Sequence, residues 1–285
     1  MIDVNNSQNY DSASEHDFLL EKRGRTILTG GLLAPTDESS EITDPIAFLK
    51  ANYPNEQLFR FILTHPDMDH MRGLKRVHDE IGITNFWDTA HTKPDPEFRS
   101  DEDKVDWEFY RELRGGKRGL TPKNYLRGTA VFAFAKEENG MDGGDGIEIL
   151  SPTSDLVAAC NATGRSNDLS YVLRLSFANT KIIFPGDAEE EAWATMVGHY
   201  GARLKSDFLK ASHHGRDSGY YLDAVKTIAP TVTIVSVGRK PDTDASTKYK
   251  QFSGSVRSTR YHGNISLHIE DNGDRHWYVD RNADK

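Results

Sequence analysis

Apolar positions along this chain fall into short runs of strand length, each closed by a polar turn. The runs at 58–63, 84–88, 131–135, 147–150, 171–177, 181–184, 207–211, 231–237, 264–269 and 276–279 read as strands. Between them, apolar residues return every three or four positions. At 44–52, Asp44 precedes Pro45 as a cap precedes a first helical turn, and Ile46, Phe48 and Leu49 supply the apolar side. A helix over 70–81 carries Met71, Leu74, Val77 and Ile81 and stops at Gly82. After Asp187, three glutamates (Glu189, Glu190, Glu191) suit a positive helix start, and Ala192, Trp193, Met196, Val197 and Tyr200 form a stripe ended by Gly201. Leu222, Val225 and Ile228 mark another helix. Residues 1–4 read as a strand end followed by a polar loop over 5–14, 15–28 as a short helix or loop, and Gly30, Gly31 and Pro35 as a turn. Strands alternating with helices predict the α/β class.

The chain has 285 residues and is read as one domain with a polar insertion at about 91–128. A further polar loop spans 239–250, and a glycine-rich turn 140–146. Hydrophobic residues make up 36% and charged residues 28%, the balance of a globular protein with an ordinary core. The formal net charge of −9 argues against a general nucleic-acid binder. One basic stretch runs against that balance: Arg111, Arg114, Lys117, Arg118, Lys123 and Arg127, with Glu112 as the acid among them. Such a stretch is more often solvated surface than a binding site. The single cysteine, Cys160, excludes an internal disulfide and a cysteine zinc site. With no apolar signal core near the start and no run of about 20 apolar residues, the expectation is a cytoplasmic protein without membrane partners.

The chemistry concentrates where strands end. After the run 58–63 comes Thr64-His65-Pro66-Asp67-Met68-Asp69-His70, with two imidazoles and two carboxylates in six residues. Nitrogen and oxygen ligands this dense suit metal-assisted hydrolysis, and surface polarity explains them poorly. Two later strands end in Pro185-Gly186-Asp187 and Ser212-His213-His214-Gly215. Sites in α/β sheets form at one set of strand ends, so the three segments are expected to converge. Asp187 alone would read as a helix cap. One of His213 and His214 is expected as a ligand, and the order is open. His78 reads as boundary packing, and His16, His91, His199, His262, His268 and His276 lack ligand-type neighbours.

In these motifs the chain resembles the metallo-β-lactamase hydrolase fold, and within it the hydrolase domain of competence DNA-uptake (ComEC-type) proteins. The resemblance lies in His65-x-Asp67-x-Asp69-His70, Asn167-Asp168-Leu169-Ser170, Pro185-Gly186-Asp187, Ser212-His213-His214-Gly215, Val235-Ser236-Val237-Gly238 and Arg257-Ser258-Thr259-Arg260, over roughly 55–75 and 145–270. It implies a four-layer αββα sandwich. It also implies that strands precede the strand ending at Val4, as though the chain lacked its first strands. By the same likeness His65, Asp67 and one of the paired histidines, assigned to His213, surround one divalent ion. Asp69 and His70 hold a second, and Asp187 bridges the two. Asp67 stands where a histidine is usual in the superfamily, which favours manganese over zinc. The histidine usually found between the second and fourth motifs has no counterpart, and Asn167 and Ser170 occupy that region.

The implied activity is metal-dependent cleavage of phosphodiester bonds, in DNA or nucleotides. Asp69 would orient or deprotonate water, and His214 would protonate the leaving oxygen, the roles of His213 and His214 exchanging if His214 is the ligand. Asn167 and Ser170 would hydrogen-bond a phosphate oxygen, with turn chemistry as the plainer reading of both. The alternatives are a small-molecule metallo-hydrolase acting on a lactone, thioester or cyclic nucleotide, and a non-catalytic metal-stabilised binding module.

Overall fold

The computed structural model describes residues 1–5, 18–20, 26–29, 44–131, 133–135, 143–238 and 241–281. Its largest sheet has six strands in the order Ser255–Ser258, Val232–Val235, Phe208–Lys210, Thr180–Phe184, Val172–Phe177 and Ile147–Ser151. The first four run parallel and the last two add antiparallel. Facing it are the parallel pair Leu58–Ile62 and Ile83–Trp87 and an antiparallel sheet ordered Arg275–Val279, Ile265–Ile269, Thr26–Thr29 and Phe18–Leu20.

Period-two alternation builds the layers. Leu173, Ile182, Phe184, Phe208 and Ile234 point from the six-stranded sheet into a core shared with Ile62, Trp87, Ile265 and Leu267. Their neighbours Val172, Ile183, Leu209 and Val235 point the other way. They pack on Leu156, Cys160, Trp193, Met196, Val225 and Tyr249 from the covering helices. On the opposite sheet Phe61 and Phe86 face outward, against Ile46, Leu49, Leu74, Val77, Trp107 and Tyr110. Three apolar interfaces therefore separate helix, sheet, sheet and helix layers. Each buried side chain of this size contributes on the order of 1.5–3 kcal/mol.

Several elements differ from the sequence reading. Phe18–Leu20 and Thr26–Thr29 are strands, where a helix or loop was expected over 15–28. They are too short to carry a visible period, and pairing sets them: Thr26–Thr29 lies against the distant Ile265–Ile269, and Phe18–Leu20 against Thr26–Thr29. Residues 133–135 form a turn instead of a strand, although Phe134 still enters the inter-sheet core. The helix expected from 70 begins at Leu74, behind a 3-10 turn Met68–His70 and Gly73 at φ +91°. The polar stretch 91–128 contains the helix Asp101–Arg114, which buries Trp107, Phe109, Tyr110 and Leu113. A helix Ser154–Thr163, capped by Thr153, had no apolar stripe to announce it. The polar loop over 239–250 contains the helix Ser246–Lys250, with 239 and 240 outside the described residues. The loop at 6–14, the turn at Gly30, Gly31 and Pro35, His16 and residues 140–142 also lie outside them. Among the described residues no helix is long and apolar enough to cross a membrane.

The helix Asp101–Arg114 braces the loop that carries the His–Asp motif. Asp106 accepts hydrogen bonds from the backbone N–H of Gly73 and Lys75 at 2.7 and 3.0 Å, capping the helix Leu74–Glu80 from a neighbouring element. Asp103 takes the Arg72 guanidinium in a two-point contact at 2.6 and 3.2 Å.

Candidate metal centre

Three strand ends meet at one rim of the sandwich. The strand Leu58–Ile62 runs into Thr64, whose carbonyl accepts the Tyr171 N–H at 2.9 Å and ties this loop to the facing sheet. Tight backbone bonds follow, Asp67 N–H to the His65 carbonyl and His70 N–H to the Asp67 carbonyl, both 3.0 Å. They fold the motif so that His65, Asp69 and His70 turn the same way. Past Thr180–Phe184, Gly186 at φ +55° lets the backbone leading into Asp187 pass close to Thr64 and Ser170. Past Phe208–Lys210, His213 (φ +45°) and His214 (φ +55°) both adopt left-handed backbone, rare for residues with a side chain. The loop 241–245 braces that turn, the Ala245 N–H donating to the Gly215 carbonyl at 2.7 Å.

Asp187 is the hub. Its Oδ2 lies 3.4 Å from His70 Nε2, 3.6 Å from His213 Nε2 and 3.9 Å from His65 Nε2. Its Oδ1 lies 3.2 Å from His214 Nε2. One ligand atom from each of His65, His70 and Asp187 falls within 4.8 Å of the others, and so do those of Asp69, His70 and His214. His65, His70, Asp187 and His214 are buried. Asp187 does not cap the helix Glu190–Tyr200: the Asp168 carboxylate takes the N–H groups of Glu189 and Ala192 at 3.0 Å each, leaving Asp187 to the centre.

Carboxylates missed in the sequence orient two of the imidazoles. Asp3, itself at φ +56°, meets His70 Nδ1 at 2.9 Å and also accepts from the Thr64 N–H and Oγ1 at 2.7 and 2.8 Å. Glu189 meets His213 Nδ1 at 2.9 Å, and Ser218 Oγ lies 2.8 Å from the same nitrogen. A carboxylate behind a histidine fixes the ring and its tautomer, as it does in metal sites generally. Asp3 was visible in the sequence only as part of a strand end, and Glu189 only as a helix-start charge.

The other expected residues are placed as follows. Asp67 stands at the edge, its Oδ1 3.8 Å from His65 Nε2 and 2.5 Å from Lys93 Nζ. Ser170 Oγ accepts the Asp187 N–H at 3.1 Å, and Asn167 Nδ2 donates to Glu189 Oε1 at 3.3 Å. Arg111 and Arg114 from the basic stretch line a cavity of about 380 Å³ with His91, Lys93, Trp107 and Tyr110. Arg118 instead pairs with Glu112, and Arg127 bonds the Leu150 carbonyl. His91 is buried here, its Nε2 2.5 Å from the Tyr110 hydroxyl.

The electrostatics suit a cation. Burial lowers the pKa of His65 and, with help from Lys210, of His214, the latter to about 4. Both rings are therefore neutral at pH 7, the form that ligates. Burial opposes ionisation of Asp187, but His214 and His70 outweigh it and hold the carboxyl well below the usual carboxylate range. His65 Nε2 and Asp187 Oδ1 are buried with no hydrogen bond of acceptable geometry. Inward-facing lone pairs of nitrogen and oxygen are costly together unless a positive ion joins them. The residues fit a divalent cation.

No protein-family model and no curated protein sequence matches the chain. Among solved structures, a mutant of the β-hydroxylase CmlA superposes with a TM-score of 0.50 at 12% identity, covering 90% of this chain and 52% of that one. This chain thus spans about half the length of that protein. CmlA itself, a diiron β-hydroxylase from Streptomyces venezuelae, gives a TM-score of 0.47 at 11% identity, covering 90% of this chain and 54% of that one. Igni18, a metallo hydrolase from Ignicoccus hospitalis, gives 0.45 at 15% identity, with 92% and 97% covered. Helix, sheet, sheet and helix in that order, with the His–Asp cluster at the strand ends of both sheets, give this chain the metallo-β-lactamase fold.

Proposed function

We propose that this chain is a metal-dependent hydrolase that cleaves phosphodiester bonds. The observation that carries the reading is the convergence of Asp69, His70, Asp187 and His214 from segments far apart in sequence. These residues would hold a divalent ion, manganese or zinc, which would supply water activated for attack at neutral pH. Asp69 orients that water and takes its proton. His214 serves as the ligand of the histidine pair, since it belongs to the group with Asp69 and His70. His213, turned by Glu189 so that Nε2 faces the centre, delivers a proton to the leaving oxygen. Ser170 and Asn167 act through Asp187 and Glu189, holding them in place, instead of on the substrate.

An anionic substrate is supported by the cavity beside Asp67, where Lys93, Arg111 and Arg114 outnumber the one acid on its wall, Asp95, which pairs with Arg111 at 3.0 Å. The resemblance of its motifs, in their order, to those of competence-type hydrolases is the reason for reading a phosphodiester within that class. A volume of about 380 Å³ lies in the range of small-ligand sites, and with the net charge of −9 it favours a nucleotide-sized substrate over a long polyanion. The test is turnover of bis-p-nitrophenyl phosphate, cyclic nucleotides and linear single-stranded DNA with manganese or zinc. The wild type should hydrolyse at least one, and Asp187→Ala should lose roughly a thousand-fold or more. A folded Asp187→Ala variant of undiminished activity would sink the reading, as would a metal-loaded wild type inert toward every phosphodiester.

A further inference from the structure

We infer that the cavity lined by Lys93, Arg111 and Arg114 receives a phosphomonoester that the substrate carries apart from the bond to be cleaved. This rests on the hydrolase reading above and names the second group such a substrate presents.

The cations reach the cavity from two segments. Arg111 and Arg114 stand three residues apart in the last turn of the helix Asp101–Arg114, a spacing that puts both on one face. Lys93 comes from the loop that follows the strand Ile83–Trp87. Basic residues in a last turn ordinarily complement the negative end of their helix. That role does not call for Lys93, brought to the same space by another segment.

The cationic wall is held in place before any ligand arrives. The Lys93 N–H donates to His91 Nδ1 at 3.0 Å, and Asn161 clamps the residues before it, accepting from the Thr92 N–H and donating to the Ala90 carbonyl, both at 2.9 Å. Arg114 wraps the same His91, with Nη1 3.0 Å from Nδ1 and Nη2 on the His91 carbonyl, while its Nε lies 3.5 Å from the buried Asp88. The Tyr110 ring stacks on His91 at 6.0 Å and 14°. A receptor already ordered loses less freedom on binding.

The acids near these cations leave donors over. Asp95, the one acid on the wall, takes Arg111 Nη1 at 3.0 Å and the Trp107 indole N–H at 2.9 Å. The Arg111–Asp95 pair is 60% and 57% exposed, and so open an ion pair is weak enough for a doubly charged ligand to displace. A guanidinium carries five N–H donors and an ammonium three. Arg111 therefore keeps donors beyond Asp95, and Lys93 keeps donors beyond Asp67. A phosphomonoester matches donors that converge from two segments, because it offers three terminal oxygens in different directions and close to two negative charges. A carboxylate offers two oxygens in one plane.

The cavity adjoins the metal centre. Lys93 Nζ meets Asp67 Oδ1 at 2.5 Å, and the same oxygen lies 3.8 Å from His65 Nε2. One carboxylate separates the two places, so a substrate of nucleotide size spans both, its phosphodiester at the centre and its monoester in the cavity.

Two measurements on the full chain test this. With manganese present, the thymidine dinucleotides pTpT, TpTp and TpT are compared. One of the phosphorylated pair should be cleaved with kcat/KM about ten-fold or more above TpT, mostly through KM, and Arg111→Gln should bring that preference below about three-fold. A ratio taken within one preparation does not depend on the fraction folded. After chelator treatment and dialysis, titration calorimetry with phenyl phosphate should find one site per chain, about ten-fold tighter than for benzoate. Arg111→Gln should weaken it about five-fold, and Asp95→Asn should tighten it about three-fold, a gain that damage to the fold does not produce. Equal turnover of the three dinucleotides, a preference that survives Arg111→Gln, or benzoate bound as tightly as phenyl phosphate would each overturn the inference and leave the hydrolase reading standing. Phenyl phosphate bound as expected by a chain that cleaves no phosphodiester would sink the hydrolase reading and keep the phosphomonoester site.

Discussion

Gly186 shows how closely single residues set this centre. A Cβ built on it would lie 2.9 Å from both Thr64 Cβ and Oγ1 and 3.0 Å from Ser170 Cβ, and its φ of +55° already disfavours any side chain. Gly186→Ala should therefore cost about 1–3 kcal/mol of stability in urea denaturation and weaken metal binding, because relief of the overlap moves Asp187. An alanine variant with wild-type stability and wild-type metal affinity would show that this close approach does not position the carboxylate. At this scale the sequence was legible where several chemically distinctive residues crowd one strand end, as in His65 to His70, Pro185 to Asp187 and Ser212 to Gly215. It was illegible for Asp3, Glu189, Lys93 and His91. Each is an ordinary residue in its local context, and what singles it out is a partner in space: His70 for Asp3, His213 for Glu189, Asp67 for Lys93, Tyr110 for His91.

Ile265–Ile269 could be read directly from its alternation, because one face meets the core, and Thr180–Phe184 from its short apolar run, because both of its faces are buried. The helix Asp101–Arg114 could not, since nine of its fourteen residues are charged and its apolar face is interrupted by the buried acids Asp103 and Asp106. That helix joins the strand end at Trp87 through a buried polar knot, and the knot makes a pH prediction. Asp88 is fully buried beside Arg114 at 3.5 Å and the Tyr110 hydroxyl at 3.0 Å, and burial outweighs both to push its carboxyl up to about 6. Between about 6 and the unfolded value near 3.9, the folded chain binds a proton that the unfolded chain does not, so this group adds stability as pH falls. His91 works in the opposite sense. Burial, then Arg114 and Lys93, bring its ring down to about 3, so the unfolded chain gains the proton first and stability is lost below about 6.5. Each contribution is about 3 kcal/mol between pH 7 and 4, and in the wild type they nearly cancel. Asp88→Asn should then lose stability steeply on acidification and His91→Gln should gain it, as read from urea midpoints. Parallel profiles for both variants and the wild type would show that the two groups are not charged and neutral as assigned.

Across the whole molecule, the centre is where the two halves of the sandwich are pinned to each other. His65, Asp69 and His70 come from the rim of one sheet and Asp187 and His214 from the rim of the other, and between them lies the inter-sheet core of Ile62, Trp87, Leu173, Phe184 and Ile265. Without an ion, this rim gathers carboxylates and neutral imidazoles whose lone pairs face inward, an arrangement that disfavours closure of the sheets locally. An ion reverses the sign of that term, and because the unfolded chain scatters these ligands, its binding free energy goes largely to the folded state. At a free metal concentration a hundred-fold above Kd the gain is about 2.7 kcal/mol, which for a chain of this size raises Tm by roughly 5 °C. Calorimetry with and without a chelator measures this directly. The wild type should shift, and Asp187→Ala should not. If chelation leaves the wild-type Tm unchanged while metal is shown to bind, the ion does not join the two sheets, and the rim must be closed by protein contacts such as the Tyr171 N–H to Thr64 carbonyl bond alone.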